Sequence, residues 1–187
     1  MKLIGKGAFG KVTLAIHKLT GKNVAIKTIE KAAMKDDFSR RKVFQEIYIL
    51  KKIKHANVIR ILEVFEGPKH VLIVMEYASS GDLLQFIKQE GRLQEHKAKI
   101  IFKQIVYGLA HIHSRHVLHR DIKLDNILME ADLGIKICDF GVSKIINRKQ
   151  IIKEQCGTPA YIAPEIISEC VYLLLRDIMG SIVIYGV

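Results

Sequence analysis

Gly5-Lys6-Gly7-Ala8-Phe9-Gly10-Lys11-Val12-Thr13-Leu14-Ala15-Ile16 is the stretch that decides how this chain is read. Glycines spaced G-x-G-x-x-G let a turn lie close over phosphates and present backbone N–H groups to them. A dinucleotide-binding crossover uses similar spacing, but it needs a helix after the third glycine and an acidic residue at a strand end roughly 20 residues on. Here Val12-Thr13-Leu14-Ala15-Ile16 continues as a strand, and Val24-Ala25-Ile26-Lys27 follows as another. The stretch therefore reads as a phosphate-covering hairpin.

Outward from it, residues 2–30 alternate apolar and polar positions, with Lys18-Leu19-Thr20-Gly21 as a hairpin turn. Phe44, Ile47, Tyr48 and Leu50 recur at helical spacing and predict a helix over 39–53. Residues 59–65 and 71–76 are strand candidates joined by Gly67-Pro68. Small and polar residues at 78–81 read as a linker, followed by an apolar segment at 83–89. A long helix over 94–114 carries Ile100, Ile101, Ile105, Leu109 and Ile112 on one stripe. Brief strands are expected at 117–118, 127–129 and 135–137. The fold class is α+β: a β-rich first lobe over 1–76 with one helix, a connection at 77–81, and a mainly helical second lobe over 82–187.

The charge is uneven. Of 30 Lys+Arg and 19 Asp+Glu, residues 1–60 hold 15 basic and 4 acidic side chains, and the remainder holds 15 of each, so the formal +11 belongs to the first third. A solvated helix face explains that excess, and with no recognised nucleic-acid module a nucleic-acid partner is not expected. Cys138, Cys156 and Cys170 lack C-x-x-C spacing, which points to reduced thiols in the cytoplasm or nucleus. The apolar run after Cys170 is interrupted by Arg176 and Asp177, too soon for a membrane span. No G-x-x-x-x-G-K-[ST] occurs, which excludes a Walker-type phosphate loop.

Several motifs in order carry a resemblance. The glycine loop at 5–10, Val-Ala-Ile-Lys at 24–27, His119-Arg120-Asp121-Ile122-Lys123-Leu124-Asp125-Asn126, Asp139-Phe140-Gly141 and Ala163-Pro164-Glu165 resemble the eukaryotic protein kinase catalytic domain. Lys123 and Gly157-Thr158-Pro159-Ala160-Tyr161 resemble its serine/threonine type, and the whole resembles the calcium/calmodulin-dependent and AMP-activated-like group. The resemblance implies a bilobal fold and ATP-dependent, magnesium-requiring phosphoryl transfer to protein serine or threonine hydroxyls. It implies that Gly5, Gly7 and Gly10 cover the phosphates and that Lys27 holds them while pairing with Glu46. Asp121 would accept the hydroxyl proton, with Lys123 beside it and Thr158 packed against both. Asn126 and Asp139 would hold magnesium. Met75 would back the adenine pocket, Glu76-Tyr77-Ala78 would offer backbone hydrogen bonds, and Val12, Ala25 and Leu128 would sandwich the ring. Asp82 and Asp125 lean toward substrates with basic residues near the phosphorylated position, although Asp82 reads equally well as a helix N-cap.

The sequence also departs from the family. It stops soon after Asp177, where the family's central second-lobe helix begins, and Met179 takes the place of a tryptophan. The expectation is a piece of a longer chain, and the alternative for the gap is a regulatory partner that covers it. The alternative for the function is an inactive kinase fragment or pseudokinase-like scaffold, in which activity is lost through the truncation and not through the site. In the activation segment, 139–165, the usual phosphorylated threonine is replaced by Glu154, and 144–157 contain no Ser, Thr or Tyr. A carboxylate there either pairs with Arg120 as a weak substitute for phosphate or is simply an exposed loop acid.

Overall fold

The computed structural model describes residues 2–7, 10–146 and 156–162. The expectations for Glu154, for Ala163-Pro164-Glu165, and for Asp177 and Met179 lie outside those residues. Two compact units emerge. The first takes the described residues up to Lys51 together with Ile59–Tyr77; the second takes Lys52–Val58 and the described residues from Ala78 onward.

The first unit is built on five antiparallel strands: β1 (Lys2–Gly7), β2 (Gly10–Ile16), β3 (Asn23–Glu30), β4 (Ile61–Glu66) and β5 (His70–Glu76), in the order β1-β2-β3-β5-β4. Gly10 continuing directly into a strand excludes the dinucleotide-binding alternative. Gly21, at φ 67°, closes the β2–β3 turn, and its N–H donates to the His17 carbonyl at 2.8 Å. One helix, α1 (Asp37–Lys52), buries Val43, Glu46, Ile47, Ile49 and Leu50. Val43 and Ile47 form a core with Ile29, Val71 and Ile73, against which Phe44 and Met75 pack. The predicted stripe is thus displaced: Tyr48 is exposed, and Val43 and Ile49 take up the burial.

In the second unit, α2 (Leu83–Glu90) starts at Asp82, whose carboxylate accepts from the Gln85 N–H at 2.8 Å. Asp82 is therefore an N-cap. The long helix α3 (Glu95–Ser114) buries Ile101, Ile105, Gly108, Leu109 and Ile112, while Ile100 faces solvent, so the core stripe begins one residue later than expected. Two small ladders complete the unit: β7 (Ile127–Met129) with β8 (Ile135–Ile137), and β6 (Val117–Leu118) with β9 (Lys144–Ile145). The β9 strand was not foreseen. Among the described residues no helix is long and apolar enough to cross a membrane.

Residues 52–58, assigned with 1–76 on sequence grounds, belong to the second unit, and Asn57 is the reason. Its side-chain amide donates to Gln104 Oε1 at 3.0 Å and to the Ile135 carbonyl at 3.3 Å, and its own carbonyl accepts from Ile137 N–H at 2.9 Å. Beside it His55 stacks on His111, ring centroids 5.0 Å apart. Burial, then the charges of His55 and Arg115, hold the His111 imidazole below its ordinary value and keep it neutral. The close approach needs Gly108, where a Cβ would meet Ile137 Cδ1 at 2.7 Å and the Asn57 carbonyl oxygen at 3.1 Å. Gly108→Ala gains about 1 kcal/mol of helix propensity but overpacks this joint at a cost of about 1–3 kcal/mol. We expect a lower denaturation midpoint; an unchanged or raised one would mean that Ile137 moves aside without cost.

Candidate active site

In the first unit the register of β3 decides what Lys27 can reach. Ala25 pairs with Leu14 and Met75, and Lys27 pairs with Val12 and Ile73. Cross-strand partners and alternate residues share a sheet face. Val12, Ala25, Lys27, Ile73 and Met75 therefore lie on one side, the side that also carries Ile29 and Val71. Glu46 sits on the buried stripe of α1, and Lys27 Nζ donates to its Oε1 at 2.6 Å. The two side chains are only 15% and 7% exposed, so removing either leaves a buried charge without its partner. Among the described residues Glu46 is the one acceptor for Lys27, whose ammonium has three hydrogens to donate.

The three glycines separate on inspection. Gly10 stands opposite Ile29, and a Cβ there would lie 1.8 Å from the Thr28 carbonyl oxygen, so strand pairing alone requires glycine. Gly5 meets only ordinary contacts with Val12. Gly7 pairs with Gly10 at the mouth of the hairpin. Between Tyr77 and Leu83, Ser80 N–H donates to the Met129 carbonyl and Met129 N–H to the Gly81 carbonyl, tying the linker to β7. The Glu76 N–H is committed to the Arg60 carbonyl at 3.0 Å, which leaves that group unable to serve a ligand. Ala78 shows no such bond among the described residues. On β7, Ile127 and Met129 are buried, whereas Leu128 between them stays partly open.

The second unit gathers Asp121, Lys123, Asn126 and Thr158. Thr158 Oγ1 donates to Asp121 Oδ1 at 2.7 Å and accepts from Lys123 Nζ at 2.8 Å. Lys123 Nζ is also 3.1 Å from Asp121 Oδ2, and Asn126 Nδ2 donates to that oxygen at 3.0 Å and to the Asp121 carbonyl at 2.8 Å. Burial is the largest single influence on Asp121 and pushes its carboxyl up. The bonds from Thr158 and Lys123, the Lys123 charge and the Asn126 amide together outweigh it and hold the carboxyl below the usual carboxylate range. Gly157, at φ 117°, lets Thr158 approach, since a Cβ there would lie 2.9 Å from the Arg120 carbonyl oxygen.

Sequence reasoning named His119 only as the start of a motif. It is fully buried, its Nε2 donates to the Cys138 carbonyl at 2.9 Å, and its Nδ1 accepts from the Asp121 N–H at 3.3 Å. These partners fix the neutral tautomer with the hydrogen on Nε2. Cys138 N–H in turn donates to the Asn126 carbonyl at 2.9 Å, so Asn126 and Asp139 are held one backbone bond apart. With its amide hydrogens turned to Asp121, Asn126 presents Oδ1. Asp139, at φ 63°, adds a carboxylate whose Oδ1 accepts from Gly141 N–H at 3.3 Å. Hard oxygen donors of this kind fit magnesium, which takes few protein ligands and completes its shell with phosphate and water.

The chain belongs to the protein kinase domain family, whose pattern matches residues 1–185. It is 42% identical over 167 residues to the SNF1-related protein kinase catalytic subunit alpha KIN12 of Arabidopsis thaliana, an overlap covering 89% of this chain and 34% of that one. It is 41% identical over 171 residues to the serine/threonine protein kinases OSK3 and OSK4 of Oryza sativa subsp. indica, covering 91% of this chain and 34% of each. The chain thus spans about a third of the length of these relatives. Their names agree with the AMP-activated-like serine/threonine group.

Because the folded-state value of Asp121 is depressed, its ionised form stabilises the fold at neutral pH. That contribution is lost as pH falls through the ordinary carboxylate value toward the depressed one. Thr158→Ala removes a donor and should raise the Asp121 midpoint toward the ordinary range, followed by carbon-13 titration of its carboxyl. A midpoint no higher than in the unmodified chain would make Lys123 and Asn126 sufficient.

Proposed function

We propose that this chain transfers the γ-phosphoryl group of ATP to serine or threonine hydroxyls of proteins. The observation that carries the reading is the Asp121 carboxylate, held ionised by three side chains and already accepting a hydrogen bond from an alcohol, Thr158. A carboxylate with a depressed pKa is a poor proton sink early in a reaction. Its part is to orient the acceptor oxygen and to take the proton late, as a loose phosphoryl-transfer transition state allows. Lys123, beside Asp121 and Thr158, adds positive charge where negative charge develops.

Lys27 holds phosphate oxygens with the hydrogens that Glu46 leaves, and Glu46 fixes its direction. Val12, Ala25 and Met75 give the first unit an apolar surface suited to a purine; within the second unit Leu128 stays partly open, and Ala78 keeps a backbone donor and acceptor. Gly5, Gly7 and Gly10 keep the hairpin slim over the phosphates. Asn126 Oδ1 and the Asp139 carboxylate would hold magnesium, which when bound neutralises phosphate charge. A cytoplasmic or nuclear location is part of the proposal, supported by three cysteines without paired spacing.

Isothermal calorimetry and a peptide phosphorylation assay test this division of roles. Asp121→Asn should abolish transfer while leaving magnesium-dependent ATP affinity within about twofold, because Asp121 serves the hydroxyl. Asp139→Ala should abolish that affinity as well. Equal loss of nucleotide binding in both variants would overturn the assignment.

A further inference from the structure

The β6–β9 ladder is only two rungs long, Val117 opposite Ile145 and Leu118 opposite Lys144, yet its register runs further. At one end the Ile146 N–H donates to the His116 carbonyl at 2.9 Å. At the other end side chains take over. Ser143, opposite His119, donates its hydroxyl to the His119 carbonyl at 3.1 Å. Arg120 Nε, one position further, donates to the Val142 carbonyl at 2.7 Å. Residues 116–120 thus face 146–142 in unbroken order.

Local conformation explains the change from backbone to side chain. Arg120 is left-handed, at φ 70°, which ends the extended run before Asp121. Ser143 turns its own N–H back to the Phe140 carbonyl at 3.0 Å. Opposite His119 the alternation of an antiparallel ladder supplies no backbone bond, and the Ser143 hydroxyl adds one there from a nearly closed position, with Ser143 only 5% exposed. The carbonyl it holds belongs to His119, whose ring bridges the Asp121 N–H and the Cys138 carbonyl. One short side chain therefore ties the segment after Asp139 to the residue that orients Asp121.

We propose that Ser143 is a positioning residue for phosphoryl transfer, acting through His119 on Asp121 and on the Cys138–Asp139 peptide. The proposal rests on the kinase reading above. An oxygen displaced by a fraction of an ångström loses rate while nucleotide binding is spared, because misalignment affects the reacting geometry first. Thr keeps the hydroxyl, and Ala removes it without adding bulk.

The test compares the full chain with Ser143→Ala and Ser143→Thr by two independent readouts. In peptide phosphorylation, Ser143→Ala should lower kcat about three- to tenfold, the range one hydrogen bond allows, with KM for ATP unchanged and Ser143→Thr recovering the loss. In amide hydrogen exchange, Ser143→Ala should speed exchange at Asp121 about three- to tenfold, while Leu118, paired with Lys144 on the ladder, stays protected. Unchanged exchange at Asp121 overturns the proposal whether or not the chain is active. So does a kcat that does not fall, or one that falls equally in the Thr variant. An inactive unmodified chain would instead count against the kinase reading, leaving exchange to decide on Ser143.

Discussion

A carboxylate that is mostly withdrawn from water must be met by donors on both oxygens, and Asp121 imposes that requirement on the second unit. Its side chain is 14% exposed, and Thr158, Lys123 and Asn126 supply the donors. Lys123 and Asn126 come from the same short loop, but Thr158 arrives from 37 residues away. Its arrival explains Gly157, the residue that can adopt the required backbone conformation and lie against the Arg120 carbonyl. The left-handed conformations at Arg120 and Asp139 belong to the same construction. Each costs free energy for a non-glycine residue; Arg120 is held by the bond from its Nε to the Val142 carbonyl, and Asp139 by the bonds of Cys138 before it and Gly141 after it.

The first unit solves a different electrostatic problem. Lys27 and Glu46 are both largely buried, but among the described residues one acceptor faces the three hydrogens of the ammonium. A buried ion pair contributes little net stability, because desolvation offsets the attraction. Its value here is direction: α1 packs through Val43 and Ile47 onto Ile29, Val71 and Ile73, and that packing sets where Glu46 draws the ammonium. Both Asp121 oxygens have donors, whereas among the described residues Lys27 keeps hydrogens to spare. That contrast fits the roles proposed for the two, a carboxylate that orients a hydroxyl and a cation that receives a ligand.

Much of this was legible from sequence because it is local. The strands at 117–118, 127–129 and 135–137 fall where their apolar runs lie, whereas the pairing of Lys27 with Glu46 is implied by the family resemblance and not by any period. What escaped is what depends on distant partners. Tyr48 and Ile100 fit a helical stripe as well as their neighbours do, and only the opposing surfaces decide which residue is buried. β9 is two residues long, too short to show a period, and exists because residues 116–118 pair with it. Residues 52–58 continue α1 in sequence but are captured by Gln104 and β8 through one asparagine. No pattern in 52–58 announces a bond to residue 104.

The glycines make the same point at the scale of a single atom. A motif treats Gly5, Gly7 and Gly10 as one phosphate-covering set, yet their physical requirements differ. At Gly10 a methyl group would overlap the backbone of β3, so the third glycine is needed even if no phosphate ever binds. At Gly5 a methyl group would find ordinary van der Waals distances, so the fold itself does not demand glycine there. A requirement that the fold does not explain must come from the ligand or not exist at all. It follows that Gly5, rather than Gly10, is where the identity of the residue reports on phosphate approach. Loss of activity at Gly10 would be read first as damage to the β2–β3 ladder on which Lys27 depends.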